Sequence, residues 1–427
     1  MTTVSLVVII INIHIALILA TGMTPILVWW ERRVAGFIQD RAGPNRCNIG
    51  PIRLGGLIQS IADMLKLVFK EDFMPSHIRY KFFFTLAPVL LFFCIFLTFG
   101  VIPFADDLII DNQSHMMQAL PMGLGIMWFL AFAGLSTYGI ILGGYSSGSK
   151  YGILSSIRAT AQVISYEAAM ALSVISMILT YGSIHLGDMV VAQGELLFGF
   201  IPAWGVFLQP LAALIFIVTA FAEANRAPFD LAEGESEIVA GYHTEYSAMR
   251  FGLFQVGELA ALCAASAIIV TLFFGGYQIP WLDTQTLKSN IDYVMIAIMI
   301  LVPIKIFILT SWMKKNNNWE DASDIRAKET GILNKVFWTI GILTIALFAW
   351  FLSTGLSQNG VAITVAVLQV LTFIIKFFLV ALVFIWIRWT LLRFRYDQLQ
   401  MLGWKVLLPL SLLNIVITAT YIVVTGS

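Results

Sequence analysis

The sequence predicts an all-α polytopic membrane protein, with about ten transmembrane helices and one interfacial amphipathic helix. Three observations carry this. The 427-residue chain is 59% hydrophobic, with a mean hydropathy of +0.87, against ~45–50% apolar in soluble domains. Several uninterrupted apolar runs reach the ~20 residues that cross a bilayer. The short alternating segments of a membrane barrel are absent.

The apolar runs place spans at 4–30, 81–104, 118–143, 159–181, 201–222, 252–275, 293–313, 332–353, 361–387 and 404–424. No basic segment precedes the first run, so it reads as a retained span and not a cleaved signal. The basic residues then sort by side. Of 25 lysines and arginines, 22 lie in or at the edges of the segments after spans 1, 3, 5, 7 and 9. Lys288 lies on the other side, and Lys305 and Lys376 lie inside spans. The positive-inside rule puts the basic segments in the cytoplasm and both termini outside. The expected organisation is a core bundle over 1–275 with inner loops 31–80 and 223–251, a transmembrane hairpin over 276–360, and two last core helices over 361–427 with inner loop 388–405.

Within the first inner loop, 54–71 spaces Leu57, Ile58, Ile61, Met64, Leu65, Val68 and Phe69 by three and four, interleaved with Asp63, Lys66 and Lys70. This is a short amphipathic helix lying in the membrane interface or packed on a soluble partner.

Composition also excludes classes. Formal net charge is zero, so nothing favours nucleic acid. Cys47, Cys94 and Cys263 are far apart, and the histidines are scattered, so neither zinc nor iron–sulfur spacing occurs. No metal site is expected.

The chemistry-bearing residues are charges in costly places. In 31–46, Glu31 and Asp40 face Arg32, Arg33, Arg41 and Arg46; such a cluster can anchor span 1 or build a site. Glu167 lies nine residues beyond Arg158, roughly 13 Å along a helix. An acid at that depth is a functional candidate, or a packing residue served by Gln162, Ser165 and Tyr166. Glu258 is the seventh residue of span 6. Lys376 sits near the middle of span 9, too deep for easy snorkelling. Finally, 221–247 holds Glu223, Asp230, Glu233, Glu235, Glu237 and Glu245 against one base, Arg226. Glu223 and Arg226, three apart, can pair on a helical turn, and Pro228 stops that helix. Clustered carboxylates near low dielectric resist joint ionisation and can exchange protons near neutral pH. A solvated loop that docks a basic partner fits the same residues.

Several of these stretches resemble one family: the quinone-chamber membrane subunit of respiratory complex I, the NADH:quinone oxidoreductase. They are ERRVAGFIQDRAGPNR (31–46), ADMLKLVFKE (62–71), IRATAQVISYE (157–167), AEANRAPFDLAEGESEIVAGYHTEYS (222–247) and RFRYDQLQMLGWKVLLP (393–409). The resemblance implies an enzyme subunit without a complete active site of its own, in a bacterial inner membrane. It implies quinone as substrate, and flavin and iron–sulfur clusters on partner chains. Those partners would be the hydrophilic quinone-site and iron–sulfur subunits and small membrane subunits of the antiporter arm. It places Glu31, Arg32, Arg41, Arg46, Asp63, Arg226, Phe229, Asp230, Arg393 and Arg395 around the quinone chamber. Glu167, Glu223, Glu233, Glu235, Glu237, Glu258 and Lys376 would serve the proton path. Departures from the family pattern are Leu392 in place of proline, Gln400 in place of methionine, the longer link CNIGPIRLGG, and spans 7 and 8, which look inserted as a peripheral hairpin. The equivalent subunit of a hydrogenase-type ion-translocating complex, or a stand-alone proton-coupled transporter, are the alternatives.

Overall fold

Nearly every apolar run forms a helix. The structure, a computed structural model, describes residues 3–50, 52–232, 234, 240–315, 325–355 and 357–425. Among these, nine helices are long and apolar enough to cross a membrane. They are α1 (Val4–Ile38), α3 (Lys81–Val101), α4 (Gly125–Ser146), α5 (Lys150–Tyr181), α7 (Ala248–Phe273), α8 (Ile291–Lys315), α9 (Lys328–Ser353), α10 (Gln358–Thr390) and α11 (Tyr396–Thr425). Helix α2 (Ile58–Phe69) is the amphipathic helix of the first inner loop. The chain is a multi-pass, all-α membrane protein.

The remaining expected span, 201–222, is broken. A short turn of helix, Gly205–Leu208, precedes α6 (Pro210–Glu223), a helix of 14 residues. Gln209 separates them with a non-helical backbone, and Pro210 opens the second piece, where its missing N–H costs nothing. The Gln209 N–H donates to the Gly205 carbonyl at 2.8 Å and its own carbonyl accepts from the Ala213 N–H at 3.0 Å, so the backbone at the break is satisfied, and its side-chain amide donates to the Thr180 and Thr418 hydroxyls at 3.0 Å each.

Helix α1 runs eight residues beyond its expected end, to Ile38. Glu31, Arg32 and Arg33 therefore ride on a rigid helix end and not on a loop. Outside the helices, the described residues form two short antiparallel ribbons: Leu108–Ile110 with Gln113–His115, and Leu196–Leu197 with Ile201–Pro202. Asp111 and Asn112 turn the first with φ of 51° and 61°, a backbone that short polar side chains tolerate.

Helix α7 is the axis of the bundle. Of its most apolar stretch, 89% is buried, and its Ala260, Ala264, Ala265 and Ala267 let neighbours approach closely. Helices α1, α3, α6 and α10 pack around it. In contrast, α8 and α9 pack chiefly on each other, and only 11% and 6% of their apolar stretches are buried.

A candidate charged site toward one end of the bundle

Helix α6 ends at Glu223, and Asn225 takes a φ of 48°. The chain thus leaves the helix before Arg226, and the one-turn geometry expected for Glu223 and Arg226 does not form. Arg226 instead turns into the bundle, 7% exposed. Its Nη1 lies 3.7 Å from Glu31 Oε2 on α1, and its Nη2 lies 3.8 Å from Glu258 Oε2 on α7. Glu31 also pairs with Arg388, at the inner end of α10. Tyr242 donates its hydroxyl to Glu258 Oε1 at 2.7 Å. Two acids and two arginines from four separate segments thus neutralise one another. Charges this deep require such pairing, because isolated ones are very costly to desolvate.

The loop holding Arg226 is fixed from α5. The Gln162 amide donates to the Ala222 and Phe229 carbonyls at 2.6 and 2.7 Å. Phe229 packs edge-on against Tyr166 and stacks on Phe394, with ring centroids 5.6 and 5.4 Å apart. The Phe394 amide donates to the Pro228 carbonyl at 3.1 Å, and Tyr166 donates to the Leu399 carbonyl at 2.9 Å. The last inner loop and the acidic loop are therefore one packed unit. Asp230 is half-buried on it.

Beyond Arg226 the loop closes on itself. Ser155 donates to the Ala232 carbonyl. A Cβ on Gly241 would lie 2.1 Å from that same oxygen, and Gly241 has a φ of +68°; only glycine fits there. The expected proton-path residues Glu233, Glu235 and Glu237 fall between these two anchors and lie outside the described residues.

Behind Arg226 an internal cavity is lined by Glu258, Glu223, Asn225, Ser136 and Thr137 among apolar neighbours. It offers about 30 Å³ to water centres, enough for a water or two among polar partners. Glu167 lies further along: a Cβ on Gly134 of α4 would come 2.4 Å from its Oε1, so the missing side chain makes room for the carboxylate. Arg226 meets Glu258, Glu258 and Glu223 both line the cavity, and Glu167 faces Gly134 of α4. Carboxylates separated by one water can relay a proton.

The other expected residues lie around this centre or apart from it. Arg32 pairs with Asp63 of α2 at 2.5 Å, fastening the interface helix to α1. Arg41 and Arg46 are exposed on the loop between them. Arg393 is partly exposed, and Arg395 is exposed and paired with Asp397 at 2.5 Å. Near the loop, Tyr246 stacks on Phe84 at 3.9 Å. Burial pushes its phenol up to about 12, against the opposing pull of Ser146 and Arg250, so it stays protonated at neutral pH. Lys376 is elsewhere. Its Nζ donates to the Phe274, Gly276 and Gln278 carbonyls at 2.7, 3.1 and 2.6 Å, past the outer end of α7. That is 16 residues from Glu258, or ~24 Å along the helix.

Sequence reasoning does not single out Arg388 or Tyr242, and takes Gln162 only as a partner for Glu167. A large polar amide within a membrane-spanning run is the available signal for Gln162, since such a group needs partners when buried. Among the described residues, no group of three or more His, Cys, Asp or Glu could hold a metal ion.

Fold and site define a class: a polytopic helical membrane protein with a buried, charge-balanced site toward one end of its bundle. The sequence profile of the NADH dehydrogenase family matches residues 10–323 and 330–419. The NADH-quinone oxidoreductase H subunit of Bdellovibrio bacteriovorus is 36% identical over 422 residues, covering 94% of this chain and 92% of that protein. The corresponding protein of Salinibacter ruber, of the same name, is 37% identical, covering 94% and 92%. NADH-quinone oxidoreductase subunit 8 of Rhodothermus marinus is 38% identical, covering 92% and 91%. The chain belongs to this family of NADH-quinone oxidoreductase membrane subunits, and is one component of an oxidoreductase complex. The expectation drawn from the quoted motifs agrees with this.

Proposed function

We propose that this chain forms much of the membrane wall of a quinone chamber and links quinone reduction to a proton path. The observation that carries the reading is Arg226, buried between Glu31 and Glu258 on a loop packed against the last inner loop. The quinone head would sit near Arg226 and Phe229, beside the partner arm. Its tail would lie among the apolar side chains between α1, α2 and α7. Exposed Ile61, Met64, Leu65, Val68 and Phe69 on α2 give that route a lipid-facing edge.

Reduction of the head changes the charge beside Arg226. Glu31 and Glu258 both share Arg226 with the head, and Glu258 is the one of the two that lines the cavity and would pass the response on. A water in the cavity then connects it to Glu223, and Glu167 lies beyond. Glu233, Glu235 and Glu237 would feed the same path from the loop. Arg32 and Asp63 would hold the mouth, while Arg41, Arg46, Asp230, Arg393 and Arg395 would line the face toward the hydrophilic subunits. Those subunits would carry flavin and iron–sulfur clusters, and small membrane subunits would receive the proton signal. The basic loops face the cytoplasm and both termini face outward in this reading. Helices α8 and α9 form a peripheral hairpin outside the chamber. The names of the relatives favour this reading over a hydrogenase-type complex or a stand-alone transporter.

The test is quinone reduction by the complex purified with its native partners. Glu167→Gln should lower coupled quinone reduction without loss of assembly. Full coupled turnover in that variant would remove Glu167 from the path.

A further inference from the structure

The hairpin stands off from the bundle along most of its length, yet its inner end is tied down by charge. Glu329 of α9 is 2% exposed. Its Oε2 lies 2.8 Å from Arg53 Nη2 and accepts from Arg53 Nε at 2.9 Å. Its Oε1 accepts from the backbone amides of Arg53 and Gly55, both at 3.1 Å. One carboxylate thus satisfies a buried arginine and two backbone amides at once. That is the condition under which a buried pair holds its place.

The turn it grips leads straight into α2. The Gly55 carbonyl accepts from Trp29 Nε1 at 3.0 Å and from Arg33 Nε at 3.1 Å. Arg53 also donates to the Asn45 carbonyl at 3.0 Å. Trp29 and Arg33 flank Glu31 and Arg32 on α1, the residues that meet Arg226 and Asp63. A continuous set of contacts therefore runs from α9, through the 53–55 turn, to the two helices that border the mouth.

We infer that Glu329 is a positioning residue for the mouth between α1 and α2, so that the peripheral hairpin sets the width of the lateral quinone entrance. This rests on the quinone reading above. Glu329 touches neither the head nor the acids of the path. It acts on the tail-bearing route alone.

The test compares a long-tailed quinone with a short-tailed, water-soluble one in the purified complex. Glu329→Ala should raise KM for the long-tailed quinone several-fold, with kcat kept and KM for the short-tailed quinone near wild type. Glu329→Gln keeps an acceptor for the backbone amides and should give a smaller rise of the same kind. If the alanine variant does not assemble, the glutamine variant decides. An unchanged KM for both quinones, or an equal rise for both, overturns the inference. Arg226→Ala, run alongside, separates the two readings. Wild-type turnover there removes the quinone site itself. Loss there with unchanged Glu329 variants removes only the role of the hairpin.

Discussion

Two charges mark α7, the buried Glu258 within it and the half-buried Lys376 of α10 beyond its C-terminal end, and they are held differently. Glu258 shares Arg226 with Glu31, takes a hydrogen bond from Tyr242, and borders a cavity. Lys376 is surrounded by three backbone carbonyls and lies 4.8 Å from the centre of the Trp204 ring. Side-chain partners can change protonation and rotate. Backbone carbonyls at a helix end cannot. In the reading proposed above the charges around Arg226 answer a change in their surroundings, and the three carbonyls give Lys376 a second reading beside the expected proton path, that of closing the end of a helix. A charge deep in a membrane helix is therefore a pointer to cost, and only its partners tell a working group from a structural one.

The largest effect expected from breaking this contrast is at Arg226. Arg226→Ala removes the arginine that Glu258 faces, while Glu31 keeps Arg388, and breaking a buried pair costs ~3–5 kcal/mol. Because the charge beside the proposed quinone head is lost, quinone reduction per assembled complex should also fall by more than ~10-fold, which corresponds to a barrier higher by ~1.4 kcal/mol or more. A rate near wild type would show that the buried arginine is not part of the quinone site. Glu258→Gln keeps an acceptor for Tyr242 but loses the charge, so a smaller, several-fold loss of coupled turnover is expected. Equal loss in Glu258→Gln and Arg226→Ala would mean that the two act only as one unit.

Lys376→Met strands three carbonyls, at ~1–3 kcal/mol for unsatisfied buried groups. It should lower thermal stability while leaving turnover per assembled complex unchanged. Lost proton pumping in a well-assembled Lys376→Met complex would return this lysine to the coupling path. The smallest effect is expected for Gln162→Ala. It frees the Ala222 and Phe229 carbonyls and loosens the loop, so KM for quinone should rise with kcat retained. An unchanged KM would show that packing alone holds the loop.

Hydropathy makes the helices legible, because crossing a bilayer demands long apolar runs whatever the fold. The depth of Glu167, Glu223 and Glu258 is legible for the same reason: acids there are costly enough to be noticed. Their partners are not. Arg226 meets Glu31 and Glu258 from segments far apart in the chain, and no local pattern encodes such meetings. The break at Gln209 is hidden because both pieces of the span are apolar. The extension of α1 is hidden because ERR looks like a loop anchor, although the helix simply continues through it. Glu329 reads as one more acid in a polar linker, and only the turn at 53–55, closing over it, gives it a role.

The central claim is that the quinone head sits at the inner end of α7. The most direct measurement is labelling of the purified complex with a quinone carrying a photoreactive head. Crosslinks should map to the segment around Arg226 and Phe229 and be competed by unmodified quinone. Competed crosslinks confined to the outer end, around Lys376 and Trp204, would contradict it.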